Sequence, residues 1–166
     1  MIKGKVWKYG DDINTDVIFP GKYTYTVTDS NEMAQYALED LDPDFSKNVK
    51  QGDIIVAGKN FGCGSSREQA VIALKEAGIS AIIAPSFARI YYRNAINEGV
   101  PLLENSEAPE HIEHGDEITI DLDKGEIINA QGKVFKFPPL PPSVQEIMNA
   151  GGLIPYVKKK RMTEVG

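Results

Sequence analysis

Three short apolar runs separated by two helical patterns constrain the fold of this chain more than any other feature. Residues 53–58 hold the first run, Ile54-Ile55-Val56-Ala57, and residues 79–84 hold the second. The third is Val100-Pro101-Leu102-Leu103. Between the first two, a glycine-rich turn leads into a helical pattern that runs to about Ala77, with Gly78 placed as its C-terminal stop. Between the second and third, Pro85-Ser86 opens another helix, with apolar positions at Phe87, Ile90 and Tyr91 and a stop at Gly99. A strand–helix–strand–helix–strand order predicts parallel strands joined by right-handed crossovers.

The flanks are less regular. Residues 2–9 alternate loosely and fit a strand, and residues 11–16 form a polar turn. Phe19-Pro20-Gly21 breaks the chain. Residues 22–28, where Tyr and Thr alternate, fit a strand or an extended loop. Asn31 is placed to cap a short helix over residues 32–39, ended before Pro43. In the last third, residues 117–122, 126–130 and 134–137 read as a small antiparallel sheet. A stiff run of prolines over residues 138–142 follows. Ser143 then caps a helix, with Glu146 completing the box and Gly151-Gly152 ending it. The expected fold class is α/β: one domain over residues 1–166, with a central mostly parallel sheet, flanking helices and a small antiparallel β portion. Residues 157–166, with the basic run Lys158-Lys159-Lys160-Arg161, are expected to be a flexible, solvated tail.

At 166 residues the chain is long enough for a substantial core. A net charge of −6 and a pI near 5.0 argue against nucleic acid or membrane as general partners. The single cysteine, Cys63, cannot close an internal disulfide, and no cysteine–histidine cluster has zinc spacing. No signal-peptide pattern or membrane-length apolar stretch is present, so a cytoplasmic location is expected.

The turn Gly62-Cys63-Gly64-Ser65-Ser66-Arg67-Glu68 carries the chemistry. A glycine turn between strand and helix aims backbone N–H groups at one point, and the helix end adds partial positive charge there. Arginine grips a carboxylate through two parallel hydrogen bonds. A small carboxylate-bearing ligand is therefore expected. The phosphate-loop pattern fails because no lysine precedes Ser65, and neither the dinucleotide fingerprint nor the nucleophile elbow fits the spacing. A capped helix with a glycine bend, Ser65 boxed with Glu68 or Ser66 with Gln69, would explain the turn without a ligand. Cys63 would be a nucleophile only beside His111 or His114, and both lie in an acidic polar stretch. Asp11, Asp12 and Asp16 offer oxygen ligands to a cation, but side-chain caps of a turn explain them as well.

At this point the residues resemble a known family. Asn60-Phe61-Gly62-Cys63-Gly64-Ser65-Ser66-Arg67-Glu68 is similar to the signature of the aconitase swivel domain, most of all to the separate small subunits of isopropylmalate dehydratase. Asp12-Ile13-Asn14-Thr15-Asp16-Val17-Ile18-Phe19-Pro20 resembles the family's N-terminal motif, and residues 85–94 resemble its second helix. Gly99-Val100-Pro101-Leu102 matches the strand that follows.

The resemblance implies a swivelling β/β/α domain that closes over a large subunit. That partner would hold a [4Fe-4S] cluster with one open iron, and this chain would bind no cofactor. The implied reaction removes water from a small hydroxy di- or tricarboxylic acid and returns it to the neighbouring carbon, interconverting 2-isopropylmalate and 3-isopropylmalate in leucine biosynthesis. By position, Ser65 resembles the catalytic base, Ser66 and Gly64 the substrate-contacting turn, and Arg67 the carboxylate clamp. Lys22, Tyr23, Thr24, Tyr25 and Thr26 occupy the loop that contributes to substrate choice. Where the family often has histidine, this chain has Gln69; where relatives place a loop arginine, it has none. Lys22 keeps a homoaconitase small subunit as the alternative. Activity would require both subunits, and self-association of the isolated chain is a further expectation. Two readings from other classes are a non-catalytic carboxylate- or phosphate-binding module and a self-sufficient hydrolase built on Cys63.

Overall fold

One strand joins two kinds of sheet. In the computed structural model, which describes residues 1–65 and 67–165 and side chains as far as Met162, β1 (Ile2–Lys8) is followed by three single-turn helices. These are α1 (Thr15–Ile18), α2 (Ser30–Met33) and α3 (Phe45–Asn48). Then come β2 (Ile54–Val56), α4 (Gln69–Ala77), β3 (Ala81–Ala84), α5 (Arg89–Asn97) and β4 (Leu102–Glu104). The chain continues through β5 (Glu117–Asp121), β6 (Glu126–Ile128) and β7 (Val134–Lys136), and ends in α6 (Pro142–Ala150) and α7 (Leu153–Val165). The sheet order is β4-β3-β2-β1-β5-β6-β7. β1 pairs parallel to β2, with Val6 beside Ile54, and antiparallel to β5, with Ile2 beside Ile120.

The period of two along each strand explains the layers. In β2 and β3, Ile55 and Ile82 enter one core with Ala70, Val71, Leu74 and Tyr91 from α4 and α5. Their neighbours Ile54, Val56 and Ile83 enter a second core with Ile118, Ile120, Ile127 and Phe135 from the antiparallel half. Helices thus cover one face of the parallel strands, and the curled antiparallel half covers the other. That is why β2 and β3 are wholly apolar. β5 alternates between buried and more open positions because only one of its faces meets the core.

The strand–helix–strand order and the three late strands form as the sequence predicts, but α5 opens at Arg89 rather than at Pro85-Ser86, so Phe87 precedes it and Ile90 is exposed. The antiparallel strands are not a separate sheet, because β1 has two free edges and uses the second for β5. Residues 22–28 are not a strand. Gly21–Tyr23 is a 3-10 turn, with the Thr24 N–H donating to the Gly21 carbonyl and the Val27 N–H to that of Tyr23. Tyr23 stacks on Tyr36 with ring centroids 4.1 Å apart, a tertiary contact that overrides the β-propensity of the run. The helix expected over 32–39 begins earlier. Asp29 caps α2 by accepting from the Asn31 N–H, a 3-10 turn spans Ala34–Tyr36, and Leu38 at φ +55 breaks the path. α4 starts at Gln69 without a side-chain cap, so the Ser65–Glu68 box does not form. α6 starts at Pro142 rather than on a Ser143 cap. The C-terminal stretch is helical, with Lys158, Lys160 and Arg161 exposed on α7. Among the described residues, no helix is long and apolar enough to cross a membrane.

Candidate functional site

The segments that follow β1, β2 and β3 meet at one edge of the sheet. In parallel sheets this edge, outside the carboxyl ends of the strands, is where ligands bind. The parallel pairing of β1 with β2 lays residues 11–16 along residues 58–63. Asp12 donates its N–H to the Lys59 carbonyl (2.9 Å), Gly62 donates to Ile13 (2.8 Å) and Thr15 donates to Cys63 (2.8 Å). The acidic side chains join in. Asp11 accepts from the Lys59 N–H (2.8 Å) and Asp12 from the Asn60 amide (3.1 Å). Those oxygens fasten the loop, which accounts for them without a cation. Among the described residues, no group of three or more His, Cys, Asp or Glu is arranged to hold a metal.

The segment after β3 closes the other side. Ser86 Oγ accepts from the Asn60 N–H (2.8 Å), and Ala88 donates its N–H to the Phe61 carbonyl (3.0 Å). Gly62, at φ +84, lies so close to Tyr91 that a Cβ there would fall 2.2 Å from the ring. Gly62→Ala is therefore expected to cost about 3 kcal/mol, combining left-handed backbone strain with overpacking. A urea titration would show a lowered midpoint at unchanged slope; a loss under about 0.5 kcal/mol, the range of an ordinary surface substitution, would contradict this packing.

Between these walls lies a cleft of about 220 Å³ whose lining includes Thr15, Gly64, Ser65, Arg67, Arg89 and Asn94. Ser65 is exposed. Its Oγ lies 3.1 Å from Arg67 Nε, which donates to it, and 3.3 Å from Thr15 Oγ1. Arg67 spreads its guanidinium in three directions: Nε to Ser65, Nη1 to Thr24 Oγ1 (3.1 Å), and Nη2 to the Asp16 carboxylate in an ion pair. Gln69 holds the same loop by donating its amide to the Thr24 carbonyl (2.9 Å). Gln69 thus buttresses the site.

The structure brings Gly64, Ser65, Arg67 and Thr24 together. Ser66 lies outside the described residues. The rest of the 22–26 loop turns elsewhere. The Tyr23 hydroxyl donates to Glu39 (2.8 Å), which raises its pKa, the Glu39 hydrogen bond being the main cause. Lys22 lies over the Tyr23 ring and 3.9 Å from Glu39. Tyr25 is 93% exposed, and Thr26 is exposed as well. His111 stacks on Phe135 and His114 meets Trp7. No contact among the described residues places either histidine beside Cys63. Sequence reasoning singled out neither Thr15, Arg89 nor Asn94 as a site residue. The available signal was topological: parallel strands gather the residues that follow them.

Comparison with known proteins agrees with this geometry. The model of the aconitase C-terminal domain matches residues 11–108, the segment that builds all the cleft walls. The 3-isopropylmalate dehydratase small subunit of Moorella thermoacetica is 53% identical over 166 residues, 99% of each chain. The isopropylmalate/citramalate isomerase small subunit of Methanocaldococcus jannaschii is 55% identical over 161 residues, covering 96% of this chain and 95% of its own. A crystal structure of 3-isopropylmalate dehydratase from the same archaeon superposes with a TM-score of 0.92 at 49% identity, over 99% of this chain and 97% of that one. Full-length likeness of this degree, with the site loop inside the matched segment, shows that the chain belongs to the aconitase C-terminal domain family, among the small subunits of 3-isopropylmalate dehydratase.

Proposed function

We propose that this chain is the proton-handling half of a two-subunit hydro-lyase that interconverts 2-isopropylmalate and 3-isopropylmalate in leucine biosynthesis. The observation that carries this reading is the exposed Ser65 Oγ, 3.1 Å from the Arg67 guanidinium in an open cleft. Dehydration of a hydroxy acid needs a base at the carbon that loses its proton and a grip on the carboxylate beside it. Ser65 as alkoxide takes that proton, and the C–H electron pair becomes the new double bond as hydroxide leaves the neighbouring carbon. Rehydration returns the proton to carbon and regenerates the base. Arg67 serves twice. Its charge lowers the energy of the alkoxide, and its fork orients the substrate carboxylate. In our reading Gly64 and Ser66 complete the substrate-contacting turn.

The substrate end follows from the loop charges. Residues 22–26 contain no arginine, and the Lys22 amine already faces Glu39 at 3.9 Å. An apolar isopropyl group needs no cation there, whereas the longer carboxylate arm of homocitrate-type acids does. This disfavours a homoaconitase role. The chain's one cysteine is too few for the thiolates of an iron–sulfur cluster, so its own residues do not fit that group. Our reading assigns the [4Fe-4S] cluster to the large subunit, where an open iron supplies Lewis acidity. It also places the assembly in the cytoplasm. Tyr25 and Ile90, exposed apolar side chains of the substrate loop and the cleft wall, belong to the surface that the large subunit covers.

The test is reconstitution. The chain alone is expected to be silent on 2-isopropylmalate, and an iron–sulfur large subunit should restore turnover. Isopropylmalate should be preferred over homoaconitate by kcat/KM. Turnover by the isolated chain, or preference for homoaconitate, would overturn the assignment.

A further inference from the structure

Thr15 hydrogen-bonds to the Ser65 oxygen from the cleft lining, and its burial fixes which way that bond runs. The residue is 1% exposed. Its N–H is taken by the Cys63 carbonyl (2.8 Å), and its own carbonyl accepts from Phe19 (2.9 Å). Its hydroxyl meets Ser65 Oγ at 3.3 Å, a contact in which either oxygen can be the donor. Were Ser65 the donor, the Thr15 hydroxyl proton would be buried with no other acceptor among the described residues, at a cost that folded proteins avoid. With Thr15 donating, that proton has a partner. Ser65 Oγ then receives two donors, Thr15 Oγ1 and Arg67 Nε, and its own proton is the one left facing solvent.

We propose that Thr15 is a positioning residue for the reaction: its buried hydroxyl donates to Ser65 Oγ, fixes the direction of that oxygen and stabilises the alkoxide left when the proton departs to solvent. The proposal rests on the reading of Ser65 as the base. Two donors on one oxygen favour its charged form, and a hydrogen bond to a charged oxygen is stronger than one to a neutral oxygen. The backbone explains how a threonine holds this post. Asn14 caps α1, its side chain accepting from the Val17 N–H, and the Asn14–Cys63 bridge ties the start of α1 to the serine loop. Thr15 therefore moves with Ser65.

The test uses the assembled two-subunit enzyme with 2-isopropylmalate. Thr15→Val keeps the shape and removes the hydroxyl; Thr15→Ser keeps the hydroxyl. Thr15→Val should lower kcat by about 10- to 100-fold with KM little changed. Because the alkoxide is less stable in that variant, the acid limb of the pH–kcat profile should move toward higher pH by about one to two units. Thr15→Ser should recover the rate to within a few-fold and return the limb. A Thr15→Val enzyme with normal rate and profile overturns the proposal. So does equal slowing by Val and Ser with no movement of the limb, the mark of a packing role. If the valine variant does not assemble, Thr15→Ala against Thr15→Ser makes the same comparison. If Ser65→Ala keeps its rate, the base assignment itself is wrong; if Ser65→Ala is inactive and Thr15→Val unimpaired, only the role of Thr15 fails.

Discussion

Ser65→Ala in the reconstituted enzyme is expected to lower kcat by about 10²–10⁴-fold, the range that a positioned general base contributes. The loss should fall on kcat and kcat/KM alike, because alanine removes an oxygen that acts only as the proton moves. The domain should still fold, with stability lowered by about 1–3 kcal/mol, because alanine takes away the oxygen that the buried Thr15 hydroxyl meets. Circular dichroism and co-purification with the large subunit therefore separate lost chemistry from lost structure.

Arg67→Lys should be nearly as damaging, on the order of 10²–10³-fold in kcat/KM. One guanidinium serves Ser65, Thr24 and Asp16 at once, along three directions. Lysine offers a single compact charge and cannot keep this fork. Two effects then add: the alkoxide loses a donor, and the substrate carboxylate loses its oriented partner. Both KM and kcat should change, unlike the Ser65→Ala pattern. Steady-state kinetics on 2-isopropylmalate check this, and a variant within a few-fold of wild type would remove Arg67 from the site.

Much of the parallel half was legible because its signals are local. Gly78 at φ +110 and Gly99 at φ +80 stop their helices as the sequence suggests. The apolar runs of β2 and β3, short and bounded by turn residues, fit doubly covered strands. The places where the sequence misleads are decided by distant partners. Tyr23 has strand propensity, yet Tyr36 and Glu39 fold it into a turn. Ser65 has the spacing of a helix cap, yet its oxygen accepts from Arg67 and meets Thr15, and the helix begins at Gln69. That departure is itself informative, because a serine used as a cap has little freedom to act as a base. Thr15 was legible as part of a motif but not as a site residue. Only the β1–β2 pairing shows that residues fifty positions apart share one cleft. The order of the sheet was likewise hidden, since nothing local marks β1 as the strand that serves both halves.

The central claim is that a serine on this chain breaks a carbon–hydrogen bond of a substrate held jointly with another polypeptide. A rapid-quench single turnover tests it most directly, with 2-isopropylmalate deuterated at the carbon that loses its proton. The assembled wild-type enzyme should cleave that bond, with a rate that falls on deuteration. The assembled Ser65→Ala enzyme should bind the same substrate and leave the bond intact. Cleavage by the alanine variant at the wild-type rate would contradict the account.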